Sequence, residues 1–256
     1  MSNFKLKFDH PPIIEAVVDM DCDMPPGQDF AALEQSVRDV FRPEYPKFRK
    51  AFVQTHQFEQ KPDQPPKMSV QHAIQAYQFL HDDEKQLAQV RAQGFSFNRL
   101  APYTSLDDYL PKIEKAWKLF ISVASPVQIR AVRLRYINRI MLPLAANGGV
   151  NLDDYLKIGP RLPDEQRFTL TGFLNQQSAV EFATGNRINI ILTGQPIEND
   201  KAPVILDITV ASAVNVKAEP QNFAWLLGQI ELLRALKNHI FTNMLTDQCQ
   251  KLFQQH

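Results

Sequence analysis

The chain has little cysteine and little glycine. Its 256 residues include only two cysteines, Cys22 and Cys249, which lie near opposite ends. Two cysteines are too few for a disulfide framework or a cysteine-rich zinc site, and they are typical of a reducing cytoplasm. The nine glycines fall singly apart from the pair at 148 and 149. The glycine-rich loops that bind dinucleotides or nucleotide phosphates are therefore missing, which excludes those two classes of function.

The chain also lacks an excess of charge of either sign. Lys+Arg and Asp+Glu both total 28, so no global positive field draws the protein to nucleic acid, and any anion binding must be local. No apolar run approaches the roughly 18 residues of a membrane span, and the N-terminus lacks the apolar core of a signal peptide. We expect a cytoplasmic protein that binds neither membrane nor nucleic acid.

The common signatures of catalytic and metal sites are missing as well. The six histidines show no HxxxH or HExxH spacing, and no GxSxG motif occurs. Neither cysteine has a histidine in a recognisable local signature. The sequence therefore predicts no metal, no cofactor and no nucleophilic catalysis, and it argues against an enzyme.

What the sequence does contain is a regular series of strands and helices. Period-two and period-three-to-four patterns predict the order β-α-β-β-β-β-α up to about residue 125, and a similar order follows. In the second half we expect a strand over 127–142, a short helix over 151–157, extended segments over 168–182, 187–193 and 203–214, and a long helix from about Gln221. A helix is also expected to start at Ser105.

This order predicts an α+β protein of two similar antiparallel-sheet halves, a β-α-β4-α-like duplication with helices packed on one face. The halves span about 1–125 and 126–256, and we expect them to form a single compact unit over 1–256. A duplicated saddle of the kind seen in TATA-box-binding-like folds is the nearest analogy, and the analogy covers element order only.

The segment RAVRLRYINRI, 130–140, holds four arginines. Alternate residues of a strand face opposite ways, so Arg133, Arg135 and Arg139 should share one face, opposite to an apolar face. Glu15 and Asp19 of the first strand, together with Asp207, should meet them if the first strands of the two halves pair at the centre.

Three interpretations of these arginines are open. The first is a structural ion-pair ladder, the second an anion-binding surface, and the third nucleic-acid contact, which a neutral chain without interleaved aromatic residues disfavours. The candidate ligand-binding residues are Arg133, Arg135, Arg139, Glu15, Asp19 and Asp207. Secondary candidates are Asn138, Lys237 and His239, although basic residues near a helix end are also typical of C-terminal capping.

Four segments together resemble a sporadically distributed family of uncharacterised bacterial proteins of about this length. They are PPIIEAVVDM (11–20), GFSFNRLAPYTS (94–105), LRYINRI (134–140) and LKNHIFTNMLT (236–246). The resemblance implies no activity, cofactor or catalytic residue. Sporadic distribution is typical of mobile genes, including toxin–antitoxin and phage-defence modules, and so it implies a partner-binding role.

We therefore expect a non-enzymatic binding or regulatory module whose partner is a protein or a small anionic ligand. The alternative is a phosphoester-processing enzyme that uses the arginine-rich sheet face. A closed polar cavity that contains Arg133 and Arg135 would favour the enzyme, whereas an open sheet face or an apolar seam would favour a partner. The long C-terminal helix and the spare sheet edges are compatible with a homodimer.

Overall fold

In the part of the chain that the structure describes, nine strands form one antiparallel sheet. The computed structural model describes residues 8–59, 67–145, 148–164, 167–168, 170–213 and 217–254. The strands are β1 Ile13–Asp23, β2 Lys47–Glu59, β3 Lys67–Leu80, β4 Gln86–Arg91, β5 Gly94–Leu100, β6 Gln128–Pro143, β7 Leu174–Val180, β8 Arg187–Gly194 and β9 Lys201–Ala211. Their order across the sheet is β2-β3-β4-β5-β1-β6-β9-β8-β7. With its helices, the sheet makes an α+β fold, as the sequence predicts.

The helices contribute their apolar side chains to one face of this sheet. They are α1 Glu34–Phe41, α2 Leu110–Ala124, α3 Phe223–Met244 and α4 Asp247–Lys251. Trp117 and Phe120 of α2 pack against Phe95 of β5, and α3 packs on β6 and β9. Apolar and charged side chains alternate along β6, and this alternation explains which face of the strand meets the helices. Val132, Leu134 and every second residue after them are buried beneath the helices. None of the helices in the described part of the chain combines the length and apolar character that a membrane crossing requires.

Several predicted boundaries are wrong. Helix α2 begins at Leu110 rather than at Ser105, whose hydroxyl instead accepts the Asp108 N–H in the preceding turn. The helix predicted over 151–157 is a single 3-10 turn, Leu152–Asp154. Among the described residues of the extended segment predicted over 168–182, the strand is confined to Leu174–Val180. The predicted last strand stops at Ala211, and the end expected at 214 lies outside the described residues.

The first strands of the two halves lie side by side at the centre of the sheet. Strand β1 pairs antiparallel with β6, and β5 and β9 pair on their outer sides. The sequence argument took this adjacency as its condition, and the pairing places Asp19 of β1 and Arg133 of β6 on the same face of the sheet. Strand order alone does not establish a duplication, and that part of the expectation stays a prediction.

Gly94 fixes the approach of β5 to β1. Its φ is +142°, a region that side chains with a Cβ rarely adopt. A Cβ built at this position would lie 2.0 Å from the backbone oxygen of Met20. A glycine is therefore required for β5 to begin directly after the β4–β5 turn in this register.

Candidate functional site

The face of the sheet opposite to the helices carries the arginines, and we call it the polar face. Arg133 donates to Asp21, with Nη2 2.8 Å from Oδ1, and Arg133 Nε lies 3.8 Å from Asp19 Oδ2. Arg135 donates through Nε and Nη2 to both carboxylate oxygens of Asp207, at 3.0 and 2.6 Å. The expected contact between these arginines and Asp19 or Asp207 is therefore present.

The outer arginines of the segment are paired as well. Arg139 Nη2 donates to Glu198, and Arg139 Nε donates to Gln195 at 3.2 Å. Arg130, near the start of β6, lies 3.0 Å from Asp23. Each of the four guanidiniums of this segment thus contacts a carboxylate, which supports the ion-pair ladder as the explanation of the arginine pattern.

A row of hydrogen bonds crosses five strands of the polar face. It begins at Arg49 on β2, whose Nε donates to Gln78 on β3 at 2.6 Å. Gln78 donates to Gln89 at 2.7 Å, Gln89 to Asn98 at 2.8 Å, and Asn98 to Glu15 Oε1 at 2.6 Å. Each amide uses one donor and one acceptor within the row, so these polar groups are satisfied by one another. Glu15 is therefore the end of a structural network.

A cavity of about 620 Å³ lies on the opposite side of the sheet, between the sheet and helix α3. We call it the Lys237 cavity. Four parts of the chain line it: residues 8–13 before and at the start of β1, the loop residues 103–108 before α2, Tyr136 and Asn138 of β6, and residues 234–241 of α3. It is large enough for a small organic molecule.

Lys237 is the unusual residue of this cavity. It is 7% exposed, and its Nζ lies 4.1 Å from the centre of the Tyr136 ring and 5.9 Å from that of Phe241. Its amine makes no hydrogen bond or ion pair with any residue that the structure describes. Burial, with a smaller contribution from the nearby Arg234 guanidinium, lowers the pKa of Lys237 from 10.5 to about 7.

Four other polar side chains of the cavity form two pairs. Arg234 donates to both carboxylate oxygens of Asp107, at 2.6 and 3.2 Å. The hydroxyl oxygens of Tyr103 and Tyr136 are 3.3 Å apart, and burial raises the pKa of both phenols. Both hydroxyls therefore stay protonated at neutral pH.

The acidic residues of the cavity lie at its solvent-exposed edge. Asp9, Asp107 and Asp108 are all exposed, in contrast to the buried Lys237. Charges in contact with water are strongly screened, whereas a buried charge is not. The inner part of the cavity therefore carries a cation, and the edge carries screened carboxylates.

The structure divides the candidate residues from the sequence between two places. Arg133, Arg135, Arg139, Glu15, Asp19 and Asp207 lie on the polar face, and their role in binding a ligand stays a prediction. Asn138 and Lys237 come together in the cavity. His239 is exposed, and its ring lies 3.3 Å from the Asn243 amide. The interpretation of Lys237 as a C-terminal cap is wrong, because α3 continues to Met244 and buries this lysine.

Sequence reasoning missed Arg234 and Tyr103 as parts of a site. A signal for the cavity was nevertheless available in α3. Its buried positions are Leu226, Ile230, Leu233, Lys237, Phe241 and Met244. This spacing of three and four is that of an apolar stripe, and a lysine occupies one of its positions. A charged residue at such a position indicates a special environment.

The two cysteines are unsuited to nucleophilic chemistry. Both are free and buried, and burial raises the pKa of each thiol to about 12. Neither is a thiolate at neutral pH. Within the described ranges, no group of three or more histidine, cysteine, aspartate or glutamate side chains is arranged to hold a metal ion.

Comparisons with protein-family models and with curated proteins give no match for this chain. The resemblance drawn from four segments therefore stays a prediction. In the structure each of these segments contributes to the Lys237 cavity: Pro11 to Ile13 from the first, Tyr103 to Ser105 from the second, Tyr136 and Asn138 from the third, and Lys237, Asn238 and Phe241 from the fourth.

Proposed function

We propose that this protein is a binding module that holds a small organic anion in the Lys237 cavity. The observation that carries this proposal is the buried Lys237, which lines a cavity of about 620 Å³ and whose amine has no hydrogen-bonding or ionic partner among the described residues. A buried cation without a counter-charge destabilises a folded protein. An anion that enters the cavity would supply the missing counter-charge.

The surroundings of Lys237 favour a carboxylate or a phosphate on an organic body. An ammonium group in a medium of low dielectric constant attracts an anion more strongly than the same group does in water. The rings of Phe8, Tyr103 and Phe241 offer apolar contact for the rest of the ligand. Asn138 lines the same cavity, and its side-chain nitrogen donates to the backbone oxygens of Leu206 and Tyr136, at 2.9 and 3.3 Å.

The acidic edge is compatible with such a ligand. Arg234 already neutralises much of the charge of Asp107. Asp9 and Asp108 are exposed to solvent, where salt and water weaken their repulsion of an anion. The unscreened charge deep in the cavity is that of Lys237, and it decides the sign of the preferred ligand.

The arginine-rich face is less suited to this role. Arg133, Arg135 and Arg139 each contact a carboxylate, and none of the three lines the Lys237 cavity. This arrangement argues against the alternative of a phosphoester-processing enzyme on the polar face, since a phosphate would have to displace an existing counter-ion. A protein partner, a homodimer, a cytoplasmic location and a role in mobile defence or toxin–antitoxin systems stay predictions.

A thermal-shift experiment tests the proposal. The purified protein is heated at about pH 6, below the pKa of Lys237, with organic carboxylates and phosphate monoesters such as benzoate and phenyl phosphate. An anion present at ten times its Kd should raise Tm by about 3 °C or more. The same anion should leave Tm of Lys237→Met unchanged.

A matched control is the same substitution at a surface lysine. Lys118 has a side chain that is 67% exposed and lies on α2, outside the cavity. Lys118→Met should respond to the anion as the unmodified protein does. The proposal is wrong if no anion of the panel stabilises the unmodified protein more than it stabilises Lys237→Met.

A further inference from the structure

We propose that Lys237 also forms a covalent imine with the carbonyl group of a ligand that enters the cavity. The ligand class is an aldehyde or ketone that also carries a carboxylate or phosphate. This inference rests on the proposed function, because it concerns the same cavity and the same anionic ligand. It adds a reaction to what is otherwise a binding site.

The first requirement for an imine is a neutral amine, since an ammonium group has no free electron pair. An exposed lysine at pH 7 is neutral in only about one molecule in three thousand. Lys237 has a pKa of about 7 and is therefore neutral in about half of the molecules at that pH. Burial in an apolar site and a neighbouring cation are the two known routes to such an amine, and Lys237 has both.

The second requirement is room for a carbonyl group beside the amine. Lys237 Nζ is flanked by the Tyr136 and Phe241 rings, at 4.1 and 5.9 Å from their centres, and it lines the cavity. No carboxylate of the described residues forms an ion pair with it. The electron pair of the neutral amine is therefore free to meet an incoming carbonyl carbon.

The charged and titratable groups around this amine come from each wall of the cavity. They are Arg234 of α3, Tyr136 of β6, Tyr103, Asp107 and Asp108 of the loop before α2, and Asp9 before β1. Arg234 disfavours the ammonium form of Lys237, and the three carboxylates lie at the exposed edge. With these neighbours, about half of the Lys237 amines are neutral near pH 7.

The reaction balances without an oxidant or a reductant. The nitrogen electron pair forms a bond to the carbonyl carbon, and the π pair of the C=O bond moves to oxygen, giving a carbinolamine. The nitrogen then loses its two protons, the oxygen takes them and leaves as water, and a C=N bond forms. The protonated hydroxyls of Tyr103 and Tyr136, 3.3 Å apart, line the same cavity and can donate a hydrogen bond to the carbonyl oxygen as it leaves.

The inference can be tested with 4-formylbenzoate, a small aldehyde that carries one carboxylate. The protein is incubated with this aldehyde and sodium cyanoborohydride at about pH 7.5, which converts an imine to a stable secondary amine, and the adduct is located by peptide mass mapping. Lys237 should be labelled at least about ten-fold faster than exposed lysines such as Lys118. Its labelling should persist down to about pH 7, where exposed lysines are almost entirely protonated.

Two comparisons separate this inference from the proposed function. Lys237→Met should lose the fast labelling, whereas Lys118→Met should keep it. If Lys237→Met does not fold, the peptide mass map of the unmodified protein still shows whether Lys237 is labelled faster than Lys118. The second comparison uses 4-(hydroxymethyl)benzoate, which has the same charge and nearly the same size but no carbonyl. If this alcohol raises Tm while Lys237 is labelled no faster than Lys118, the imine is refuted and anion binding survives. If neither compound raises Tm and Lys237 is not labelled, both the imine and the anion-binding proposal are refuted.

Discussion

Replacing Lys237 by methionine should stabilise the protein, although it removes a charged side chain from the candidate site. Methionine keeps the unbranched apolar stem that packs beside the Tyr136 and Phe241 rings. The pKa of Lys237 falls from 10.5 in the unfolded chain to about 7 in the folded protein. At 1.36 kcal/mol for each pKa unit, the charged form costs ~5 kcal/mol of folding free energy. Attraction between the ammonium and the Tyr136 ring, whose centre lies 4.1 Å away, favours the charged form and offsets part of this cost.

The sign of the pH dependence follows from proton binding. Between about pH 7 and 10.5, Lys237 is protonated in the unfolded chain and neutral in the folded one. The unfolded state therefore binds more protons, and the contribution of Lys237 to the free energy of unfolding rises with pH across this window. The destabilisation is complete below pH 7 and disappears above pH 10.5. The stability that Lys237→Met gains over the unmodified protein should thus be largest at low pH and small at high pH.

Urea unfolding of the unmodified protein and Lys237→Met, at about pH 6, 8 and 10, measures this difference. We expect Lys237→Met to be more stable by about 2 to 5 kcal/mol at the lowest pH, and we expect the difference to shrink steadily as pH rises. Lys118→Met, a change on the surface of α2, should stay within about 0.5 kcal/mol of the unmodified protein. A Lys237→Met variant that is less stable at low pH, or a difference independent of pH, would refute the reasoning.

Three further predictions concern the sheet. Arg135→Gln removes the guanidinium that binds Asp207, a residue only 6% exposed. The free energy of unfolding in urea should fall by about 1 to 3 kcal/mol, and a fall of less than about 0.5 kcal/mol would argue against the ion-pair ladder. Gly94→Ala places a Cβ 2.0 Å from the Met20 oxygen, and it should lower the free energy of unfolding by more than about 3 kcal/mol or prevent folding. A variant that unfolds at the same temperature as the unmodified protein would contradict the β1–β5 register. Gln89→Ala interrupts the hydrogen-bond row of the polar face and should cost about 1 kcal/mol, and an unchanged urea midpoint would show that the row contributes nothing.

The central part of the fold could be predicted because strand residues alternate between two different environments. In β6 the apolar side chains face the helices and the arginines between them face the polar side, so the sequence alone specifies both faces of the strand. The meeting of carboxylates and arginines on one face was expected on the condition that β1 and β6 pair, and in the structure Asp19 and Arg133 lie opposite each other. The alternation of apolar and charged side chains along a strand can be read from a short stretch of sequence, and the structure has the faces of β6 that this alternation predicts.

The ends of elements were harder to predict, since tertiary contacts determine them. The segment from Ser105 to Tyr109 has helical spacing, but it forms a turn that carries cavity residues, and α2 begins only at Leu110. The cavity itself could not be predicted, because it is assembled from four parts of the chain that are far apart in sequence. Its one local signal is Lys237 at a buried position of α3.

Direct titration of the Lys237 side chain tests the central claim, that this cavity holds an anion against a buried amine. Carbon-13 NMR of the lysine Cε atoms can follow each lysine, and the Lys237 signal is assigned by its absence from Lys237→Met. The account predicts a pKa near 7 in the free protein and a rise of at least about one unit when a saturating organic carboxylate is added, because the anion stabilises the ammonium form. A Lys237 signal that titrates with the exposed lysines near pH 10.5, or one that the anion does not move, would contradict it.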